Sequence, residues 1–182
     1  MKKAACLILS IFFTFLSSVA FGETVDGKIH MQLWDGRSWR GMYSGEIMNG
    51  VPHGYGTWKV SDNDTAFHYI GIWESGNMHG NGGLYYWKTG EAYIGYFENN
   101  EIVEGTFYIN GVKWMYFDTR TDENNFSKMI LYREDGSIIF DGGYRKKPES
   151  WNGGIYSADG KKFMDVEIMD ETNFAAVIEL FE

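Results

Sequence analysis

The sequence is short of cysteine, proline and basic residues. Of its 182 residues, one is cysteine and two are proline, and 16 lysines and arginines stand against 25 acidic residues, a formal charge of −9. Nucleic-acid binding relies on clustered basic residues that neutralise phosphates, so this balance argues against a nucleic-acid partner. The aromatic share of 18% excludes the opposite class, a disordered acidic chain without the means to form a core.

The first 22 residues have the pattern of a secretory signal peptide. Lys2 and Lys3 precede a 13-residue apolar stretch from Ala4 to Leu16. Small residues then occupy the cleavage positions, either in Ser18-Val19-Ala20 or in Ala20-Phe21-Gly22. This stretch is too short to cross a membrane, which takes roughly 17–25 apolar residues. We therefore expect cleavage after export, with the mature protein in the periplasm or outside the cell.

Cleavage would change the composition. The only cysteine, Cys6, and two lysines leave with residues 1–22, so 14 basic and 25 acidic residues remain, a formal charge of −11. Disulfides and thiol chemistry are then excluded, and packing and strand pairing must hold the fold. We predict no transmembrane segment in the mature chain, because no other stretch is long and apolar enough.

A repeat of aromatic residues and glycines runs through the remaining chain. A unit that begins at Tyr43 recurs 26 residues later with every offset kept, and recurs in part after a further 24 residues. Each unit has an aromatic residue, a glycine two positions on, a turn glycine and a His-Gly-x-Gly run, complete or in part. The repeat positions are Tyr43, Gly45, Gly50, His53, Gly54 and Gly56, then Tyr69, Gly71, Trp73, Gly76, His79, Gly80 and Gly82, then Tyr93, Gly95 and Phe97.

Weaker signals continue the period towards the C-terminus. Three aromatic residues, Trp114, Phe140 and Phe163, extend the series at spacings of 21, 26 and 23. Asn-Gly and Asp-Gly pairs suit two-residue hairpin turns, because both central residues need positive φ. The glycines that mark the turns are Gly90, Gly111, Gly136 and Gly160, and the last three of them stand in Asn-Gly or Asp-Gly pairs. We assign residues 23–169 to a repeat array that is clearest over 36–111 and degenerate over 112–169.

The motif Tyr-x-Gly-x-Trp/Phe-x-x-Gly-x-x-His-Gly-x-Gly resembles the MORN repeat, the membrane occupation and recognition nexus motif. Two copies match closely and a third in part. The chain resembles a MORN-repeat protein of an exported bacterial type. This resemblance implies stacked β-hairpins and a structural histidine where each returning strand begins. It implies no single activity, because MORN arrays occur in proteins with very different functions.

Strand periodicity explains why such a repeat would make a sheet. Side chains alternate along a strand, so Tyr69, Gly71 and Trp73 share a face, and an aromatic ring can lie across the gap that the glycine leaves. A single hairpin cannot bury its aromatic face, so stacked neighbours make the core. We predict an all-β fold, one elongated, twisted, single-layer antiparallel sheet of about 12 strands, two per repeat.

Residues 170–182 are predicted to cap the sheet. Phe174, Val177, Ile178 and Phe181 have the i, i+3, i+4, i+7 spacing of an amphipathic helix. We expect a short helix over Glu171–Leu180, with a final strand as the alternative.

No catalytic or metal-binding pattern is present. His53 and His79 hold the same place in successive hairpins, about 9–10 Å apart across two strands, whereas two ligands of one metal each lie about 2 Å from it. Glu46, Glu74 and Glu98 recur as they do on a solvated sheet face, unlike the two differently tuned acids of a glycosidase. We predict no metal, no cofactor and no enzymatic activity; a small hydrolase is a further alternative.

The aromatic residues suggest a binding function. Most must form the core, yet a one-layer sheet leaves part of its surface open, and the candidate binding residues are Trp58, Tyr85, Trp87 and Trp114. We predict a scaffold or interaction module that binds another macromolecule, in the first place a protein, through its sheet face or edge. The alternative is a glycan or lipid held by exposed aromatic rings, although the acidic charge opposes anionic membranes.

Overall fold

The fold comes from a computed structural model, which describes residues 24–32, 38–61, 66–120, 126–146, 149–169 and 171–181. The predicted signal peptide, residues 1–22, lies outside the described residues. So does Asp35-Gly36, a further Asp-Gly pair at which the sequence predicts a hairpin turn.

Strands dominate the described residues, and a single short helix follows them. The elements are β1 (Thr24–Gln32), β2 (Ser38–Met48), β3 (Val51–Ser61), β4 (Ala66–Glu74), β5 (Asn77–Tyr86), β6 (Glu91–Glu98), β7 (Glu101–Ile109), β8 (Val112–Asp118), β9 (Phe126–Tyr132), β10 (Ile138–Lys146), β11 (Glu149–Tyr156), β12 (Lys162–Ile168) and α1 (Glu171–Glu179). The strands follow chain order in a single open antiparallel sheet. The predicted fold class, the two strands per repeat and the C-terminal helix are confirmed.

The chain divides into two compact units. Unit 1 comprises residues 1–102 and 109–111, and unit 2 comprises residues 103–108 and 112–182. Strands β1 to β6 therefore belong to unit 1, and β8 to β12 with α1 belong to unit 2. The two clear repeats lie in unit 1.

Two-residue turns join the strands of the clear repeats. Asn49 and Gly50 have φ of 55° and 80°, and Ser75 and Gly76 have φ of 52° and 88°. Two central residues with positive φ make the turn whose twist matches that of the flanking strands. The predicted turns at Gly50 and Gly76 are confirmed, and the Asn-Gly pair at Gly111 has the same form.

The Asp-Gly turns of unit 2 are longer than predicted. Five residues, instead of two, separate β9 from β10, and in the Asp135-Gly136 pair only the glycine has positive φ. The Asp135 carboxylate accepts a hydrogen bond from the Ser137 N–H at 2.8 Å. Such a bond to the backbone two residues on favours an aspartate with ordinary negative φ. The Asp159-Gly160 turn has the same length and the same glycine conformation.

The helix of unit 2 covers the apolar face of β9 to β11. Phe174 stacks on Trp151 with ring centroids 5.2 Å apart, and meets Phe140 edge-on at 5.1 Å. The core of unit 2 is built from the buried residues Leu131, Ile139, Phe140, Ile155, Phe174 and Ile178. The predicted helical spacing therefore marks the side of α1 that packs on the sheet.

Arg133 joins three segments of unit 2 through one guanidinium group. Its Nε donates to the carbonyl of Phe181 at 2.9 Å, and its Nη1 and Nη2 donate to the carbonyls of Ile138 and Tyr156, both at 2.7 Å. The planar fork of donors in arginine suits such a set of acceptors. No repeat or motif in the sequence marks Arg133 for this role.

Candidate interaction surfaces

The second clear repeat places a tyrosine ring across two glycines. The phenol of Tyr69 covers Gly71 of its own strand and Gly82 of β5, and a methyl group at either glycine would overlap it. The Tyr69 hydroxyl donates to the carbonyl of Ile72 at 2.8 Å. The glycine is therefore a packing requirement of the motif, as the repeat pattern predicts.

The first repeat has the same arrangement. The ring of Tyr43 lies over Gly56 of β3, and its hydroxyl donates to the carbonyl of Glu46 at 2.6 Å. Burial, with a smaller effect from the Glu46 carboxylate, raises the pKa of Tyr43 to about 12. Burial also raises the pKa of Tyr69. Both phenols therefore stay protonated at neutral pH and act as hydrogen-bond donors.

The repeat glycines form a continuous row across unit 1. The Cα partners in β2 to β6 are Gly45, Gly56, Gly71, Gly82 and Gly95 in that order. Aromatic rings flank this row on one face of the sheet, here named the ring face: Tyr43, Trp58, Tyr69, Trp73, Tyr93 and Phe97. They are at most 1% exposed. Trp73 meets the edges of Tyr43 and Tyr69 at centroid distances of 5.2 Å, so these rings seal one another from water.

Each His-Gly pair marks a β-bulge. Gly54 and Gly80 have φ of 65° and 66°, a left-handed conformation that favours glycine, and the strand register shifts beside both. At the first bulge, the Glu46 carboxylate accepts the Tyr55 N–H at 2.9 Å. Glu46 therefore supports the bulge, a role beyond the solvated position that its recurrence predicts.

The two repeat histidines lie directly before the bulge glycines. His79 Nε2 is 3.3 Å from an Oε2 atom of Glu74, and His53 is half-buried at the corresponding place in β3. Both positions are where the MORN resemblance expects a structural histidine. In the part of the chain that the structure describes, no group of three or more His, Cys, Asp or Glu residues is placed to hold a metal ion.

The other face of unit 1 carries apolar and aromatic side chains that no second layer covers among the described residues. This open face is defined by Met42, Tyr55, Lys59, His68, Ile70, Ile72, Tyr85, Ile94 and Tyr96, which alternate with ring-face positions in β2 to β6. Met42 is 47% exposed and Ile72 is 40% exposed. The outer face of an antiparallel sheet is ordinarily polar, so this composition points to a binding surface.

Trp87 extends the open face at the end of β5. Its ring lies 4.6 Å from the ring of His68, and Lys59 Nζ lies 5.7 Å from its centroid. Burial and the charge of Lys59 lower the pKa of His68, so the imidazole is neutral at pH 7. The corner therefore combines two inclined aromatic rings, 61° apart, with one cation.

The four candidate binding residues do not come together. Tyr85 and Trp87 share the open face, whereas Trp58 is fully buried on the ring face and Trp114, 44% exposed, belongs to unit 2. A signal for the rest of the open face is present in the sequence. Ile70 and Ile72 occupy the alternate positions of β4, where a solvated face would carry polar residues.

Unit 2 contains a degenerate copy of the ring-over-glycine arrangement. Gly142 and Gly153 are Cα partners, and the Phe140 ring lies across both. Their offsets of +2 and +13 from Phe140 are those of Gly71 and Gly82 from Tyr69. Phenylalanine lacks the hydroxyl that donates a hydrogen bond in the clear repeats, and its ring contacts Phe174 of α1. The period predicted to continue at Phe140 thus corresponds to a structural repeat.

No helix in the described part of the chain has both the length and the hydropathy that crossing a membrane would require.

Comparison with known proteins identifies the repeats of unit 1. A family model of the MORN repeat matches residues 43–65 and 69–91. Alsin from Mus musculus and from Homo sapiens is 35% identical to this chain over 85 residues, and alsin from Rattus norvegicus is 34% identical over 85 residues. The match covers 43% of this chain, which spans only 5% of the length of these curated relatives. The chain thus carries two MORN repeats, a kind of repeat typical of binding and scaffold modules.

Proposed function

We propose that this protein is an exported, non-enzymatic module that docks another protein through the open face of unit 1. The observation that carries the proposal is the contrast between the two faces. The ring face is sealed, with its aromatic side chains at most 1% exposed, and so offers no ring to a ligand. The open face exposes Met42 and Ile72 among tyrosines and further isoleucines.

The composition of the open face favours a protein as the partner. The centres of protein interfaces are depleted of charge and enriched in aromatic residues and methionine. Lys59 is the single formally charged side chain among the nine that define this face, and the pKa of His68 is lowered, so its ring is neutral at pH 7. Arg40, Glu74 and Glu98 share the face near the ends of β2, β4 and β6, so the charges lie around the apolar centre. A lipid surface suits the face less well, because the chain without residues 1–22 carries a charge of −11.

Export is proposed from the sequence of residues 1–22. The partner would then be an envelope or extracellular protein. An enzymatic role is not proposed, because MORN repeats are generally non-catalytic and the acids singled out by their recurrence have structural surroundings: Glu46 supports a bulge and Glu74 contacts His79.

Ile72→Lys tests the proposal with Ile109→Lys as a matched control. Both isoleucines are 40% exposed, but Ile109 is not part of the open face. Affinity capture from an envelope extract should recover the same specific protein with wild type and with Ile109→Lys, and lose it with Ile72→Lys. A partner retained by Ile72→Lys, or the absence of any specific protein, would refute the proposal. Binding of glycans or lipid vesicles to the open face would instead support the alternative function, in which the ligand is a glycan or a lipid.

A further inference from the structure

Unit 2 contains a groove of its own, lined by charged side chains and glycines. It lies on the sheet face opposite α1, because Asp141, which lines it, alternates with Phe140, whose ring contacts the helix. The groove has a volume of about 710 Å³. Sites for small molecules have volumes of roughly 300–1,000 Å³.

Four glycines are among the residues that line this groove: Gly142, Gly143, Gly153 and Gly154. They lie in the paired strands β10 and β11, where Gly142 is opposite Gly153. A strand position without a side chain lets a ligand or another backbone approach closely. Gly143 and Gly154 are the two that face the groove, because the Phe140 ring covers Gly142 and Gly153 on the side of α1. The side chains of Tyr156 and Lys162 lie against Gly154, and Tyr156 is the aromatic side chain that lines the groove.

Three ion pairs line the groove. Arg120 Nη2 lies 2.8 Å from Asp118 Oδ2, Lys128 pairs with Asp141, and Lys162 pairs with Asp165. Hydrogen bonds from Arg120 hold the pKa of Asp118 below its usual value, so that carboxylate is charged at neutral pH. The charges of the six side chains cancel, and Arg120 also pairs with Glu104, so each cation that lines the groove already has a carboxylate partner.

We propose that this groove binds a neutral, hydroxyl-rich ligand, namely an oligosaccharide. Each ion pair sets a carboxylate acceptor beside a cationic donor, and adjacent sugar hydroxyls can donate to the first and accept from the second. The Tyr156 ring offers a flat apolar surface with a polar tip for one sugar ring. Apolar atoms make up more than half of the exposed lining between these ion pairs, which suits the apolar faces of sugar rings.

The experiment titrates the intact protein with neutral trisaccharides (maltotriose, cellotriose and chitotriose) and with inorganic phosphate. Chemical shifts in unit 2 should respond to at least one trisaccharide and not to phosphate, and added salt should leave the affinity within about twofold, because no counterions are released. Asn152 also lines the groove. Lys128→Ala and Asn152→Ala should each weaken binding about tenfold, equivalent to ~1.4 kcal/mol. The matched control is Lys161→Ala, which breaks the exposed pair with Asp159 outside the groove and should not alter binding.

Failure of all three sugars to bind, or undiminished binding to folded Lys128→Ala and Asn152→Ala proteins, would overturn the proposal. A salt-sensitive response to phosphate would overturn it in favour of an anion site. The proposed docking function is tested separately, because Ile72→Lys should leave sugar binding unchanged.

Discussion

The phenol ring of Tyr69 lies across Gly82 of the neighbouring strand, where any side chain larger than hydrogen would overlap it. Gly82→Ala should therefore destabilise unit 1 by about 1–3 kcal/mol, the usual cost of overpacking. The control is the next residue: a Cβ at Gly83 would sit 3.6 Å from the Tyr93 carbonyl oxygen, an ordinary contact. Urea unfolding should show a lower midpoint for Gly82→Ala alone. Equal effects of the two substitutions would show that the Tyr69 ring does not require a glycine at position 82.

The hydroxyl of Tyr69 supplies a second test of the repeat. Tyr69→Phe keeps the ring but removes the donor to the Ile72 carbonyl, so we expect a loss of about 1 kcal/mol in the free energy of unfolding. Tyr85→Phe, on the open face, should cost clearly less. Thermal unfolding of the two variants makes the comparison, and a Tyr69→Phe protein as stable as wild type would contradict the proposed role of the hydroxyl.

Arg133 should be a major stabilising residue of unit 2. Arg133→Met removes the donors of three carbonyls, and a loss of about 3 kcal/mol follows from the usual cost of unpaired polar groups. Arg120→Met breaks exposed ion pairs and should have a much smaller effect. Hydrogen exchange should show reduced amide protection in unit 2 for Arg133→Met, with unit 1 unchanged. Unchanged protection in both units would contradict this assignment.

His68 should make stability depend on pH. Burial and Lys59 lower its pKa in the folded state, so the unfolded chain binds the proton more readily. This contribution is complete above the unfolded pKa of about 6.5 and is lost progressively as the pH falls below it. Unfolding free energies measured from pH 5 to 8 should decline on the acidic side for wild type, and less steeply for His68→Gln. Identical slopes for the two proteins would mean that His68 is not responsible.

The repeat residues made the architecture predictable because each has a geometric reason. The ring of Tyr69 needs positions without a side chain beneath it, and these are Gly71 and Gly82. The turns need residues with positive φ, and these include Gly50 and Gly76. These requirements are local, so they appear as fixed spacings in the chain. The spacing of Phe140 to its glycines follows the same rule in the degenerate region.

The candidate binding surfaces were less predictable because they depend on pairing between distant positions. Trp58 and Tyr85 look alike in the sequence, but the register buries the first and leaves the second half-exposed. The unit 2 groove needs Lys128 beside Asp141, and no motif joins these residues. Arg133 likewise donates to backbone carbonyls, and these are common to all residues, so no sequence pattern marks them.

The most direct test of the docking function is site-specific photo-crosslinking in the native envelope. A photoreactive residue at position 72, on the open face, should crosslink to one reproducible protein partner. The same residue at position 91, where Glu91 is exposed on the opposite side of the sheet, should give no such product. A partner crosslinked from position 91 and not from position 72, or none from either, would contradict docking through the open face.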